Sequence, residues 1–118
     1  MNQPTVQVNC VSNLFARMMY FEKAGDKELG HTHAFDHLTL LAKGKLSVKI
    51  NGQVTEFQAP QMIFIKAELN HELTALTDGT VAYCIHALRD SSGDIIDPAS
   101  VPQAEELTAL MNALVNPT

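Results

Sequence analysis

Basic residues are scarce in this chain of 118 residues: eight Lys and Arg stand against 13 Asp and Glu, which gives a formal net charge of −5. The basic residues are scattered, so the clustered positive charge of a nucleic-acid-binding protein is missing and no nucleic-acid partner is expected. No apolar run is long enough to span a bilayer as a helix, and we therefore expect no membrane partner. A basic segment followed by an apolar stretch is also lacking at the N-terminus, which favours a cytoplasmic location.

Cysteine is also scarce. Cys10 and Cys84 are the only two, and two thiols so far apart in sequence do not make a disulfide framework, which agrees with a reducing compartment. Cys84 lies in the apolar run 81–85. We therefore interpret it as a small buried hydrophobe and not as a reactive or metal-binding thiol.

The sequence consists mainly of short predicted strands separated by frequent turns. The length predicts a single domain. Leu46, Val48 and Ile50 alternate with polar residues, and Asn51-Gly52 follows, a dipeptide that favours a two-residue hairpin because both positions accept positive φ. We predict strands over 14–24, 38–42, 46–50, 53–57, 62–65, 71–76 and 81–88. Strands of this length and spacing are typical of a β-sandwich or barrel.

Other segments are predicted to lie outside the sheets. Residues 1–12 are polar and are interpreted as a loose arm, and residues 25–30 as a polar connection. A short helix near residues 12–17 remains an alternative to the start of the first strand. Residues 91–100 are polar and are interpreted as a linker.

The pattern changes period near the C-terminus. Leu107, Leu110, Met111 and Leu114 follow the spacing of one helix face, and Ser100 is placed to cap the start. We predict a helix over about 102–115. Its apolar face can pack on the same chain or on a partner subunit, and we favour packing on its own barrel.

Histidine supplies the strongest functional signal. His31, His33 and His37 have the same parity, so a strand continuing through a turn or bulge would direct all three side chains to one point. His71 follows two predicted strands later. Imidazole is a good ligand for iron, nickel, copper and zinc near neutral pH. Histidine pairs also occur by chance on surfaces, but four in this arrangement predict one metal site.

The histidine segment resembles the first motif of the cupin family. That motif reads Gly, five residues, His-x-His, three or four residues, Glu, six residues, Gly, and here it runs from Gly25 through His31, His33 and His37 to Gly44. The spacing agrees throughout, and His37 replaces the usual glutamate. Residues 60–71 are similar to the second motif in their hydrophobic strand and final histidine. They depart from it at Gln61, Lys66, Glu68 and, further on, Ala75. The resemblance covers about residues 17–88.

The resemblance implies an all-β fold, a double-stranded β-helix or jelly-roll barrel, with the C-terminal α-helix added. The single cupin domain would span 1–118, with the barrel over about 14–90. It further implies one divalent transition metal held by His31, His33, His37 and His71. A set of four neutral imidazoles makes Fe²⁺, Ni²⁺ or Zn²⁺ the expected ion ahead of Mn²⁺ or Cu²⁺. The expected apolar walls of the barrel are Phe35, Leu41, Ile63, Ile65, Leu73 and Tyr83.

Two function classes stay open at this point. One is a metal-dependent dioxygenase, lyase or isomerase that acts on a small molecule, since some cupin dioxygenases bind their metal with three histidines and no carboxylate. The alternative is a non-catalytic cupin module that binds a metal or small ligand. His37 is either a ligand or a base beside the metal, and His86 is interpreted as a surface or hydrogen-bonded residue. A homodimer is expected, with residues 14–21 as the candidate contact.

Overall fold

Two antiparallel sheets face each other across an apolar core. The computed structural model describes residues 2–98, with the backbone alone at His31. Within that range the chain forms nine strands: β1 Thr5–Val11, β2 Leu14–Phe21, β3 Lys27–His31, β4 His37–Lys43, β5 Lys45–Ile50, β6 Gln53–Gln58, β7 Gln61–Ile65, β8 His71–Ala75 and β9 Thr80–Ala87. The first sheet has the order β1-β2-β9-β4-β7 and the second β3-β8-β5-β6. Residues 2–98 contain no helix long and apolar enough to cross a membrane.

The core forms because alternate residues of both sheets point to the space between them. In β4 the inward positions are His37, Thr39 and Leu41, all buried, whereas Leu38 between them is exposed. The apolar cluster at the centre contains Met19, Phe21, Leu41, Leu46, Val48, Ile63, Ile65, Leu73, Ala75 and Ala82. Burial of these side chains is the main favourable contribution to folding.

The predicted hairpin is confirmed at residues 51–52. Asn51 has φ 48° and Gly52 has φ 83°, and β5 pairs with β6 from Ile50↔Gln53 to Lys45↔Gln58. Positive φ at both central residues is the backbone of a type I′ turn, whose twist matches that of the two strands. This turn therefore fixes the register of the hairpin.

Gly52→Ala is expected to destabilise the protein by about 1 kcal/mol, because an alanine side chain disfavours positive φ. A Cβ at this position would meet nothing within 4 Å, so the backbone alone accounts for the cost. Urea unfolding measures the change. Gly52→Asn is the control and should cost less, since asparagine tolerates the left-handed region. Equal losses in both variants would contradict this explanation.

Three predictions about the first 31 residues are wrong. Residues 1–12 are not a loose arm, because β1 pairs along its length with β2, from Thr5↔Tyr20 to Val11↔Leu14. The residues interpreted as a polar connection contain β3, which pairs with β8. The helical alternative near residues 12–17 is also excluded, since β2 is a strand from Leu14.

Of the two predictions for the C-terminal part of the chain, the linker falls largely within the described residues and the helix falls outside them. The segment expected to be a linker folds back on β9: Arg89 forms a bridge with Ile95, and the Ile96 N–H donates to the Leu88 carbonyl at 2.9 Å. The helix predicted over 102–115 lies outside the described residues. This part of the chain therefore remains a prediction from the sequence.

Candidate metal centre

The histidines predicted as ligands come from two sheets and one loop. β3 ends at His31 and β4 begins at His37, so His33 lies in the intervening loop and not on a continuous strand as predicted. His71 begins β8 in the other sheet, where its backbone pairs with that of His31. The prediction that His33 shares a strand with His31 is thus wrong, although the rings of His33, His37 and His71 are still brought together.

The loop between β3 and β4 is held by hydrogen bonds to the loop before β8. The Glu68 N–H donates to the His33 carbonyl at 2.7 Å, and the Ala67 N–H donates to the Asp36 carboxylate at 2.7 Å. Glu68 itself has φ 68°. The bond between these loops sets His33 on the same side as His71.

Three imidazole rings form a close cluster. The ring centroids are 5.3 Å apart for His33 and His37, 5.4 Å for His33 and His71, and 5.1 Å for His37 and His71. His37 is 4% exposed and His71 is 3% exposed. Buried histidines at this density require polar partners, because an imidazole without one is costly to bury.

His71 is oriented by its own loop. Its Nδ1 lies 3.2 Å from the Leu69 carbonyl oxygen, and since a carbonyl only accepts, this nitrogen is the donor. In the neutral ring Nε2 is then the acceptor nitrogen. Histidines that bind metals almost always donate their second ring nitrogen in this way, to a backbone carbonyl or carboxylate.

The spacing of the rings is consistent with a shared ion. A metal about 2.1 Å from an imidazole nitrogen lies about 3.2 Å from that ring's centroid, so ligands about 90–110° apart have centroids about 4.5–5.3 Å apart. The observed distances are at the upper end of that range. Within residues 2–98, and without the His31 side chain, no three His, Cys, Asp or Glu side chains are arranged closely enough to hold a metal ion as they stand. The described side chains therefore do not form a metal site as they stand, and the spacing of the three rings is the observation on which a metal proposal rests.

A cavity of about 200 Å³ adjoins the cluster, between the two sheets. Its lining combines charged, aromatic and imidazole side chains: Phe15, Arg17, Glu28, His33, Phe35, His37, Cys84, His86 and Asp97. One wall carries an ion pair, in which the Arg17 guanidinium lies 3.0 Å from the Glu28 carboxylate. The other carries a stack of rings, with the His86 centroid 4.4 Å from that of Phe15 and 4.5 Å from that of Phe35. The space is sufficient for a small molecule beside the histidines.

No family model and no curated protein sequence matches the chain, whereas many solved structures do. One is a cupin superfamily protein from Desulfitobacterium hafniense, with a TM-score of 0.64 at 15% identity over 73% of this chain and 78% of the other. KdgF from Halomonas sp. gives 0.63 at 16% identity, covering 74% and 80%. An RmlC-like cupin from Methanocaldococcus jannaschii with a double-stranded β-helix fold gives 0.61 at 9% identity, covering 71% and 81%.

The chain has the cupin fold. This confirms the all-β double-stranded β-helix implied by the histidine motif, and at these identities the likeness concerns the fold alone. The sequence resemblance adds the positions of the histidines, and three of the four predicted rings meet at the end of the barrel. The side chain of His31 lies outside the description, so its place in the site stays a prediction.

His86 is the cavity residue that the sequence interpretation placed least well. It lies on the inward face of β9 and lines the cavity, and its Nδ1 donates to the Ala87 carbonyl at 2.7 Å. Tyr83 has the opposite parity and lies on the outer face, beside Met18, so the expectation that Tyr83 forms a barrel wall is wrong. The available signal was the prediction that Cys84 is buried, because His86 has the same parity on this strand.

The remaining predicted wall residues do face the interior. Leu41, Ile63, Ile65 and Leu73 are buried in the core. Phe35 lies in the cavity, with its ring centroid 4.7 Å from that of His33. The apolar surroundings expected for the cluster are thus present except at position 83.

Cys84 is a half-buried small residue that packs against the apolar cluster, whereas its sequence context predicts full burial. Its sulfur lies 3.9 Å from the Thr39 hydroxyl. Burial raises the pKa of the Cys84 thiol above its ordinary value of 9.0, while the Thr39 hydrogen bond and Arg17 act in the opposite direction. The thiol is therefore protonated at neutral pH and a poor nucleophile.

The raised pKa of Cys84 predicts a loss of stability in alkaline solution. Because the folded pKa lies above the unfolded one, the unfolded chain releases this proton first, and the stabilisation present below pH 9.0 falls as the pH rises through the folded pKa. Urea unfolding of the wild type and of Cys84→Ala at pH 7.5 and at about pH 10.5 measures the effect. The wild type should lose more free energy of unfolding between the two values than the variant. Parallel losses would show that Cys84 does not carry the effect.

Proposed function

We propose that this cupin is a metal-dependent enzyme of the dioxygenase type, or a lyase or isomerase, acting on a small molecule. The observation that carries the proposal is the cluster of three imidazole rings, with centroids 5.1–5.4 Å apart, beside a cavity of about 200 Å³. His33, His37 and His71 would hold the ion, with His31 as the fourth expected ligand. An ion held by neutral nitrogen donors acts as a Lewis acid toward a substrate oxygen.

The chain's own residues supply position and an aromatic wall. The Leu69 carbonyl orients His71, and the Phe15, His86 and Phe35 rings form one wall against which a substrate packs. Imidazole nitrogens favour Fe²⁺, Ni²⁺ and Zn²⁺ over hard ions such as Mg²⁺. A non-catalytic module is the alternative, and the open cavity beside the rings favours the enzyme, since a closed structural site needs no such space.

Metal analysis tests the proposal directly. Protein purified without chelators and without a metal-affinity tag, then reconstituted with Fe²⁺, Ni²⁺, Zn²⁺ or Mn²⁺, should retain about one ion per chain, as for a single histidine site. Metal-edge anomalous diffraction would then locate the ion among the rings. An ion content that stays far below one per chain with all four metals would refute the metal centre.

His37→Glu is expected to keep binding but to move the relative affinity toward Mn²⁺, because a carboxylate is a harder ligand than imidazole. Competitive titrations of Mn²⁺ against Ni²⁺ on the wild type and the variant measure the shift. His37→Ala serves as the comparison and should weaken binding if His37 is a ligand. Unchanged preference in His37→Glu, together with full occupancy in His37→Ala, would make His37 a base beside the metal and not a ligand.

A further inference from the structure

The outer face of the five-stranded sheet carries a continuous apolar stripe. Its centre is formed by side chains that point away from the core on three neighbouring strands, hereafter the outer stripe: Leu38, Leu40, Met62, Phe64, Tyr83 and Ile85. The register makes them neighbours, since Leu38 lies opposite both Phe64 and Ile85. Side chains opposite each other in adjacent strands are in contact range.

The outer stripe is strongly exposed within residues 2–98. Met62 is 66% exposed, Phe64 60% and Leu38 40%. A groove of about 380 Å³ lies beside Leu38 and Phe64, and its other lining residues are Leu14, Asp36, His37, Ile85, His86 and Ala87. Contiguous apolar surface of this kind is uncommon on a monomer and indicates that something covers it.

The described chain ends near this groove and beside the histidine cavity, which Asp97 lines. The Ile96 N–H is bonded to the Leu88 carbonyl at 2.9 Å, and Leu88 directly follows Ala87, which lines the groove. Pro98, two residues after Ile96, is the last residue that the structure describes. Residues 99–101 reach up to about 10 Å when extended, so the segment that follows starts within reach of the outer stripe.

The segment that follows Pro98 has apolar residues at helical spacing, like the apolar outer stripe, and is long enough to cross it. Leu107, Leu110, Met111 and Leu114 recur at helical spacing, and the segment 99–118 contains no Lys or Arg. A helix over 102–115 would be about 21 Å long, and a sheet of five strands spaced about 4.8 Å apart is about 19 Å wide. One such helix is long enough to cross the outer stripe.

We propose that residues 102–115 form an amphipathic helix that covers the outer stripe of its own chain. The competing occupant is a second copy, which the sequence analysis expected as a homodimer. Attachment through residues 96–98 favours the chain's own segment, because a short connection gives an effective concentration in the millimolar range, far above that of a second molecule in dilute solution. The proposal concerns the outer face of the sheet, whose groove reaches His37 and His86 at the edge of the histidine cavity. It does not depend on whether the histidines bind a metal.

A tryptophan reporter in the full chain tests this, since the natural sequence contains no tryptophan. In Leu110→Trp the indole belongs to the apolar helix face, and in the matched control Asn112→Trp it belongs to the opposite face. The emission maximum of Leu110→Trp should lie at clearly shorter wavelength than that of Asn112→Trp, and acrylamide should quench it less. Both differences should persist on dilution to nanomolar concentration.

Substitutions on the sheet identify the surface that shields the reporter. Adding Phe64→Ser to Leu110→Trp should move the emission to longer wavelength, and Met62→Ser should do the same if the first variant folds poorly. Val54→Ser is the control, since Val54 is 56% exposed but belongs to β6 of the other sheet, and it should leave the emission unchanged.

Light scattering on the same samples separates the two occupants. A blue-shifted indole in a monomer supports the proposal. An indole that shifts only as a dimer forms assigns the outer stripe to a second copy and overturns the proposal, as does equal exposure of the two reporters at every concentration.

Discussion

His71→Ala is expected to bind Fe²⁺, Ni²⁺ or Zn²⁺ at least about 100-fold more weakly than the wild type. Loss of a partner that only orients a ligand already costs about 10–100-fold, and here the ligand itself is removed. His71 lies at the start of β8, is 3% exposed and has its Nδ1 occupied by the Leu69 carbonyl. Its remaining nitrogen has no role in that hydrogen bond and is the one proposed to bind the ion.

His86→Ala is the control for this prediction. His86 lines the same cavity, but its ring stacks on Phe15 and lies outside the three-ring cluster. Competitive titration against a chromophoric chelator should show near wild-type affinity in this variant, with circular dichroism confirming that both variants fold. Equal weakening in the two variants, or none in His71→Ala, would remove His71 from the proposed ligand set.

Phe21→Ala is expected to lower the free energy of unfolding by about 3–5 kcal/mol, the usual cost of removing a large buried ring. Phe21 is fully buried at the end of β2, in the central apolar cluster, and the neighbouring core side chains are held by both sheets. Such a loss is a large share of the stability of a domain of this size.

Urea unfolding followed by circular dichroism measures this effect. The neighbouring Tyr20→Ala provides the comparison, because Tyr20 has the opposite parity and is 41% exposed. It should cost roughly 1 kcal/mol or less, the range of exposed positions. Similar losses in both variants would contradict the assignment of the inward face of β2.

Some of the fold was predictable because local chemistry determines it. Asn51-Gly52 needs no distant contact to form its turn, and the alternation of residues 46–50 marks a strand with one buried face. The edge strand β1 was missed although Val6, Val8 and Cys10 alternate with Gln7 and Asn9, because the run is short, mostly exposed and preceded by polar residues. Strand β3 was missed for a related reason, since Gly30 and the charged residues before it hide a pairing that only β8 reveals.

The candidate site was predictable in its members and not in its geometry. The spacing of the histidines pointed to a common site, and three of their rings do meet. The path between them was wrong, because His33 is positioned by a hydrogen bond from Glu68, a contact between loops that no periodicity records. The orientation of His86 depended on the register of β9, which is set by pairing with β2 and β4.

The inward positions change character along the length of the strands. In β2 they run from Phe15 and Arg17 at the cavity to Met19 and Phe21 in the apolar cluster, and β9 runs from His86 to Ala82 in the same sense. The free energy of local opening should therefore increase along each strand from the cavity toward the apolar cluster. Amide hydrogens beside the cavity should exchange with solvent through local fluctuations, whereas those beside Phe21 should exchange only on global unfolding. The barrel is therefore expected to combine a firm end, which keeps the two sheets in register, with an end beside the cavity that opens at lower free energy.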